Sequence, residues 1–333
     1  MLFGVITTIF PDAPAIGVVR QHVDDLVLVG DRKTPPAASS DIRLLSIDDQ
    51  FAEFPEFAGL MPFNHYARKN IGYLHAIARG ATILFDTDDD NAPTAQWKVP
   101  QPEIVGAISG KEFANIYRLY SDDTIWPRGL PLDHLQDAQN FTVEERRGSD
   151  AAVAVWQGLA DLAPDVDAVW RMIYDKEFIF EKTPSPDHVV LDEGTFCPFN
   201  SQNTLWMDPS SFPFLYLPWT VTFRFTDILR GYVASFGIWR QGKRIGFGPA
   251  TVEQARNPHS NFKDFLSEVP MYSLGRTVYD VLAKSNLNGG DSDLLVMYED
   301  LARAGIVEKE ELVSVERWIN EIKRLCSTGQ AVP

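Results

Sequence analysis

The sequence of 333 residues contains only two cysteines, Cys197 and Cys326. Two cysteines so far apart suggest neither a disulfide framework nor a thiolate zinc site, which fits a reducing compartment. The sequence also has no apolar stretch close to the about 18 residues of a membrane-spanning helix. Its opening, MLFGVITTIF, lacks the basic segment that precedes the apolar core of a signal peptide. We therefore predict a soluble, cytoplasmic protein.

Positive charge is scarce, because 30 lysines and arginines face 46 aspartates and glutamates, a formal net charge of −16. This excess of acid disfavours nonspecific binding to nucleic acid and to anionic membranes. A negatively charged substrate would need a metal ion or a few well-placed arginines and lysines. Hydrophobic residues make up 45% of the chain. That fraction is enough for the core of one large α/β domain or two smaller ones.

Strand and helix patterns alternate in the first fifty residues. The apolar run LFGVITTIF predicts a buried first strand, and a helix is expected after the prolines of PDAP. Residues 26–29 predict a second strand, which is followed by the polar loop GDRKTP. The run IRLL predicts a third strand, and Ser46, three residues before Asp49, marks the start of a helix. This order predicts a doubly wound α/β sheet.

A helix, a strand and a carboxylate cluster follow one another without a break in the segment FNHYARKNIGYLHAIARGATILFDTDDDN. Apolar residues recur with helical spacing from Ala67 to Ala78, and Gly80 follows as a stop, which predicts a helix over residues 64–79. Residues 81–85 are short and apolar, and they predict a strand that is buried on both faces.

Four aspartates follow this predicted strand. Asp86, Asp88 and Asp90 would share one side if the extended conformation persists, while Asp89 would face the other way. Two of them would then be able to hold one hard cation, and ligands of open α/β sheets bind beyond the carboxyl ends of the strands. The alternative is an acidic loop that is simply hydrated.

Further elements are predicted in the rest of the chain. Residues 115–119 predict a strand, residues 151–162 (AAVAVWQGLADL) a helix, and residues 164–175 (PDVDAVWRMIYD) an apolar strand flanked by acids. The last sixty residues contain amphipathic helices, which predict a helical appendage. We therefore divide the chain into a domain over residues 1–270 and a C-terminal helical region over residues 271–333.

Several motifs resemble those of one protein family. The segment RKNIGYLHAIARGATILFDTDDDN resembles the helix-strand-DDD signature of the STELLO family of probable glycosyltransferases, and WPRG, FNSQNT and DILRGY follow in the family's order. The resemblance covers most of residues 1–270. The acidic segment is also distantly similar to the RNFGY…DDD segment of reversibly glycosylated polypeptides. The resemblance implies a GT-A-like, Rossmann-type α/β fold with a mixed, mostly parallel sheet flanked by helices.

The resemblance also implies a function. It points to a metal-dependent glycosyltransferase that moves a sugar from a nucleoside-diphosphate sugar, a UDP-sugar in the first instance, to an unidentified glycan, lipid or protein acceptor. Mn²⁺ or Mg²⁺ would be the cofactor. Two alternatives stay open, a nucleotide-sugar mutase and a non-catalytic protein that binds nucleotide sugars or assists assembly. Self-association through the C-terminal helices is a further possibility.

Catalytic and metal-binding roles are carried over from the resemblance. In GT-A enzymes a D-x-D element binds the metal and the donor, and a late histidine often completes the metal's ligands, which implies Asp88, Asp90 and His259 here. The D-x-L-R-G-Y element implies Asp227 as the base that deprotonates the acceptor and Arg230 as a residue that orients it. Asp227 and Arg230 are also three residues apart on a predicted helix, which equally suits a plain ion pair.

The remaining carried-over positions would contact the nucleotide sugar. They are Thr7, Gly30, Asp31, Arg32, Arg68, Asp88, Asp89, Asn200, Asn203 and Arg256. Arg68 has the alternative of lying on the solvated face of an amphipathic helix, and Asp31 that of an ordinary polar turn. Asp86 offers an alternative register for the D-x-D element. Trp126 and Arg128 either cap the core or form a platform for a sugar or a phosphate.

Overall fold

The computed structural model describes residues 1–36, 42–256, 260–290 and 292–327. Within these residues the chain forms one sheet of eleven strands. The strands are β1 (Leu2–Thr7), β2 (Asp25–Val29), β3 (Arg43–Leu45), β4 (Ile83–Thr87), β5 (Asn91–Pro93), β6 (Ile104–Ile108), β7 (Glu144–Arg147), β8 (Val153–Asp161), β9 (Val189–Leu191), β10 (Asn203–Trp206) and β11 (Arg244–Gln254). Their order across the sheet is β3-β2-β1-β4-β10-β8-β11-β9-β6-β7, and β5 pairs with β11.

Helices flank this sheet. In the part of the chain that the structure describes they are α1 (Pro14–Arg20), α2 (Ile47–Glu53), α3 (Pro55–Leu60), α4 (Lys69–Ala78), α5 (Tyr117–Tyr120), α6 (Ala168–Tyr174), α7 (Thr226–Arg240), α8 (Asn261–Lys284), α9 (Asp293–Arg303) and α10 (Glu310–Ser327). Two hydrophobic clusters cover the two faces. One contains buried residues of α4, α7, α9 and α10, and the other contains buried residues of α1 and the indole of Trp97.

The sheet is mixed. Strands β3, β2, β1 and β4 all run parallel, so their carboxyl ends meet at one edge, and β8 is also parallel to β11. Strand β10 is antiparallel to both of its neighbours, β4 and β8. The predicted α/β fold with a mixed, mostly parallel sheet flanked by helices, as in a GT-A-like fold, is confirmed. No helix among the described residues is both long enough and apolar enough to span a membrane.

The predicted helix and strand before the aspartates are both present. A 3₁₀ turn over Tyr66–Arg68 leads into α4, and Gly80 beyond its end has a left-handed φ of 81°. Gly72 lets α4 approach the sheet closely, since a Cβ atom there would lie 2.5 Å from Val29 Cγ2. Strand β4 begins and ends two residues later than predicted, so it includes Asp86. The capping box at the start of α2 is also as predicted.

Three predicted elements are wrong. Residues 151–162 form strand β8 rather than a helix, because pairing with β10 and β11 on both sides overrides the helix propensity of the alanines. Residues 164–175 contain helix α6 rather than a strand, and the Asp167 side chain caps it by accepting a hydrogen bond from Trp170 N. Residues 115–119 overlap the single-turn helix α5 and form no strand, since a short apolar run fits a buried helix as well as a strand.

The C-terminal helices pack on the rest of the chain. Helix α8 runs through residue 270, the position of the predicted boundary. Buried side chains of α9 and α10 belong to the same hydrophobic cluster as those of α4 and α7. The Trp318 indole donates a hydrogen bond to the Pro213 carbonyl at 2.8 Å. These helices therefore share a core with the sheet.

We expect Glu311→Ala to lower the free energy of unfolding by about 3 kcal/mol, because it leaves several buried donors unsatisfied. The fully buried Glu311 carboxylate accepts hydrogen bonds from the backbone amides of Trp219 and Thr220 and from the Tyr216 hydroxyl. Urea unfolding measures the change. Glu310→Ala, at the exposed neighbouring residue, is the matched control. Equal stability of the two variants would contradict this view of how α10 docks.

Candidate active site

The first aspartate after the apolar part of β4 is a buried structural charge. Asp86 has no exposed side-chain surface, and its two oxygens contact Lys69 Nζ at 2.7 Å and Arg230 Nη1 at 2.6 Å. The Tyr73 hydroxyl donates to the same carboxylate at 2.8 Å. Although burial alone would lower the pKa of Lys69, Asp86 and Asp88 raise it. Asp86 is thus already neutralised by protein cations, and the alternative D-x-D register through it loses its support.

The following aspartates diverge because β4 ends at Thr87 and residues 88–90 turn. Asp88 Oδ1 accepts hydrogen bonds from the Tyr66 hydroxyl at 2.7 Å and from Lys69 Nζ at 3.0 Å. Asp89 accepts one from the Thr8 hydroxyl. The extended geometry that would align Asp86, Asp88 and Asp90 on one side therefore does not continue past the strand.

Neighbouring carboxylates oppose the ionisation of Asp90. Burial, followed by the nearby charges of Asp88 and Asp89, raises the pKa of Asp90 to about 7. Burial also raises the pKa values of Asp88 and Asp89. Asp90 Oδ2 accepts a hydrogen bond from Gln254 Nε2 at 3.0 Å, which is a neutral partner. A cation at this turn would relieve the repulsion.

An outer cavity of about 400 Å³ lies beyond the carboxyl ends of β1, β2 and β4. We define it by the side chains that border it. They include Thr7, Thr8, Phe10, Asp31, Lys33, His65, Tyr66, Asp88, Asp89, Asp90, Phe223 and Gln254. Of the residues carried over for nucleotide-sugar binding, Thr7, Asp31, Asp88 and Asp89 therefore meet in one place. The cavity combines aromatic surface, oxygen ligands and one lysine.

An inner cavity of about 100 Å³ adjoins the outer one, and Asp88 and Gln254 border both. Its lining is strongly polar. It includes Arg128, Arg171, Arg224, Arg256, Asp165, Asp227, Asn200 and Gln202. Asn200 and Arg256, which were carried over for nucleotide-sugar binding, thus lie with Asp227, which was carried over as the base. The other three arginines line the same cavity, and of these only Arg128 belongs to a motif that the sequence singled out.

Asp227 is held by Arg128 rather than by Arg230. Arg128 Nη2 lies 2.9 Å from Asp227 Oδ2, and Arg128 Nε lies 2.7 Å from Asp165 Oδ1. Burial opposes ionisation of Asp227, but the charge of Arg128 outweighs it and lowers the pKa. The simple helical ion pair between Asp227 and Arg230 does not form, because Arg230 points to Asp86 instead. Arg230 is fully buried and does not line the inner cavity.

Arg68 and Asn203 lie away from both cavities. The buried Arg68 guanidinium donates to Gln50 Oε1 at 2.9 Å and to the Met61 carbonyl at 2.9 Å, so it is neither solvated nor beside the aspartates. The cation that contacts them is its neighbour Lys69. Asn203 accepts a hydrogen bond from the Trp97 indole and lines a separate cavity of about 850 Å³. The structure therefore does not bring these two residues to the others.

Three other carried-over residues have distinct surroundings. Gly30 is buried, and its carbonyl accepts a hydrogen bond from Gln50 Nε2 at 2.7 Å, which fixes the loop after β2. The Arg32 guanidinium is exposed and stacks 3.6 Å from the centre of the Phe63 ring. His259 falls within residues 257–259, which lie outside the described residues.

The carboxylates fit a hard divalent cation. Aspartate oxygens are the ligands that Mg²⁺ and Mn²⁺ prefer, and Mg²⁺ is commonly held by one or two carboxylates together with substrate phosphates. Among the described residues, no three histidine, cysteine, aspartate or glutamate side chains already converge as a metal site. The residues present therefore suit an ion that completes its ligands from a bound diphosphate and from water.

Known proteins match almost the whole chain. "Probable glycosyltransferase STELLO1" of Arabidopsis thaliana is 26% identical over an alignment 341 positions long, which covers 95% of this chain. "Probable glycosyltransferase STELLO2" of the same plant is 26% identical over an alignment of 335 positions, which covers 92% of this chain. The chain is similar to the STELLO proteins. It spans less than half of their length, 43% and 42% respectively. No protein-family model matches the chain.

The STELLO similarity confirms the resemblance drawn from the motifs. The similarity covers 95% of the chain. The motifs located the acidic turn, the WPRG arginine and Asp227. Arg171 and Arg224 were not singled out, since neither belongs to a motif with a known chemistry and only the folded chain brings them to the inner cavity.

Proposed function

We propose that this protein is a metal-dependent glycosyltransferase that uses a nucleoside-diphosphate sugar, in the first instance a UDP-sugar. The observation that supports this most is the position of Asp88 and the neighbouring Asp90. They lie at the carboxyl ends of parallel strands, where Asp88 separates a cavity large enough for a nucleotide from a smaller polar one. The names of the STELLO relatives agree with this assignment.

The outer cavity would hold the nucleoside and the diphosphate. Asp31 offers oxygens to hydroxyl or amide donors of the nucleoside, and Phe223, which is 56% exposed, offers a face for stacking. Lys33 borders the same cavity and would face the negative phosphates. Asp88 and Asp90 would hold the cation, with His259 as the carried-over third ligand. Bound there, Mn²⁺ or Mg²⁺ would neutralise charge on the departing diphosphate.

The transferred sugar would lie beside Asp88, where the outer cavity meets the inner one. Asn200 and Gln202 border the inner cavity, and side-chain amides suit the hydroxyls of a sugar. Asp227 would accept the proton of the acceptor hydroxyl. The ion pair with Arg128 keeps this carboxylate ionised at neutral pH, which a base requires. Arg230 would act indirectly, since it holds Asp86 and the Asn200 carbonyl beneath the site.

Thermal-shift titration with a panel of UDP-, GDP- and other nucleotide sugars tests the donor site. We expect one nucleotide class to raise the melting temperature with Mn²⁺ or Mg²⁺ present and not with EDTA. At 100 times Kd the added stability is about 2.7 kcal/mol. Asp90→Asn should remove the metal-dependent shift and leave the unliganded protein folded.

Asp122→Asn is the control for that titration, because Asp122 has an exposed side chain that pairs with Lys182 at the surface. It should respond to the donor as the wild type does. A donor shift that survives both EDTA and Asp90→Asn would contradict the metal site. No shift with any nucleotide sugar would contradict the donor site itself.

A further inference from the structure

The inner cavity has more cations than a neutral sugar requires. Four guanidinium groups border a volume of only about 100 Å³, in a chain of net charge −16. They come from separate parts of the chain, namely the WPRG loop, α6, the 3₁₀ turn before α7 and the segment after β11. Arginine is the side chain best shaped to bind carboxylate and phosphate, since its planar fork donates two parallel hydrogen bonds.

Three of these arginines have carboxylate partners within the protein. Arg128 contacts Asp165 and Asp227, Arg224 contacts Glu268 at 2.7 Å, and Arg256 contacts Asp264 at 2.7 Å. These pairs fix the guanidinium groups in place around the cavity. Because Arg128 contacts two carboxylates, the three arginines together contact four.

Arg171 differs from the other three. It is only 7% exposed, and its guanidinium donates to the carbonyls of Pro164 at 2.7 Å and Lys176 at 3.4 Å. No carboxylate among the described residues lies within 4.0 Å of it. Burial, followed by the charge of Arg256, lowers the pKa of Arg171 to about 10, so it stays cationic at neutral pH. The cavity thus contains a buried cation that forms no ion pair with a carboxylate of the described residues.

We propose that the inner cavity binds an anionic group of the acceptor, a phosphate or a carboxylate, with Arg171 as its principal cation. The proposal rests on the proposed function, in which the donor's diphosphate occupies the neighbouring acidic turn. The cavity accommodates one compact anion and is too small for a nucleotide. Because Asp227 borders the same cavity, an anion bound to Arg171 places a hydroxyl of the same molecule near that carboxylate.

Thermal-shift titrations with inorganic phosphate and with D-glucuronate test this proposal. We expect at least one of the two anions to raise the melting temperature, and the better one indicates whether the acceptor group is a phosphate or a carboxylate. The rise should persist when saturating UDP and Mn²⁺ are present. If neither anion raises the melting temperature, the proposal is overturned. It is also overturned if UDP with Mn²⁺ abolishes the rise, since the arginines would then bind the donor.

Substitutions of Arg171 test whether the anion binds in the inner cavity. Arg171→Gln should weaken the anion response at least about tenfold, because a hydrogen bond to a charged group is lost. Arg171→Lys, which keeps the charge without the fork, should give an intermediate response in a folded protein. Arg146→Gln is the matched control, since it breaks an arginine–aspartate pair with Asp192 that does not border the cavity. Wild-type responses in both Arg171 variants would overturn the proposal.

The experiments can contradict donor binding without contradicting anion binding. In that case UDP and Mn²⁺ would not change the melting temperature, while phosphate or glucuronate would still raise it in a manner that depends on Arg171. Anion binding in the cavity would then stand, and its assignment to an acceptor would be overturned.

Discussion

Asp86→Asn is expected to lower the free energy of unfolding by about 3–5 kcal/mol, because removal of one partner leaves buried charges uncompensated. Lys69 and Arg230 both contact this carboxylate, and neither side chain has exposed surface. A loss of that size is a large part of the stability of an ordinary domain, about 5–15 kcal/mol. Urea unfolding followed by tryptophan fluorescence measures it.

Asp88→Asn is the matched comparison for Asp86→Asn. Asp88 also contacts Lys69, at 3.0 Å, but its side chain is 30% exposed and Lys69 keeps Asp86 as a partner. We therefore expect a much smaller change in the free energy of unfolding, together with loss of metal-dependent donor binding. Equal destabilisation by the two substitutions would contradict the separation of one structural aspartate from the functional ones.

Asp227→Asn is expected to slow sugar transfer by about 10²–10⁴-fold, the usual contribution of a positioned general base. Donor binding should change less than about twofold, because Asp227 borders the inner cavity and not the outer one. Release of nucleoside diphosphate from the donor measures the rate, and thermal shift measures donor binding. Asp133→Asn, at an aspartate with 74% exposed side chain, is the control.

Normal turnover by a folded Asp227→Asn variant would remove the base assignment. Loss of donor binding in parallel with turnover would instead place Asp227 in the donor site. The lowered pKa of Asp227 gives a second test of its role as the base. Since Arg128 holds the pKa of Asp227 below its ordinary value, the wild-type rate should not fall from protonation of this residue until the pH is below about 4.

The first half of the fold could be predicted from the sequence because its signals are local. Strand β1, strand β2, the capping box at Ser46 and helix α4 with its glycine stop each lie within a few residues of their own determinants. Strand β8 could not be predicted from the sequence. Its alanine-rich sequence favours a helix, and only pairing with β10 and β11 makes it a strand.

The same distinction applies to the site. The acidic turn could be located from the sequence, but the sequence did not show which aspartate is structural and which aspartates border the cavities. Asp86 becomes structural because Arg230, 144 residues further along, contacts it. Arg68 and Lys69 are adjacent in sequence, yet only Lys69 contacts the aspartates, whereas Arg68 contacts Gln50 and Met61. Residue spacing in the sequence does not reveal such contacts.

The most direct test of the central claim is to incubate the protein with UDP-sugars and Mn²⁺ and to separate the nucleotide products. Transfer to water or to an acceptor releases free UDP, and we expect slow, Mn²⁺-dependent UDP release that Asp90→Asn abolishes. Conversion of the donor to an isomeric UDP-sugar without free UDP would instead indicate a mutase. Binding of a donor without any product would contradict catalysis and leave a nucleotide-sugar-binding protein.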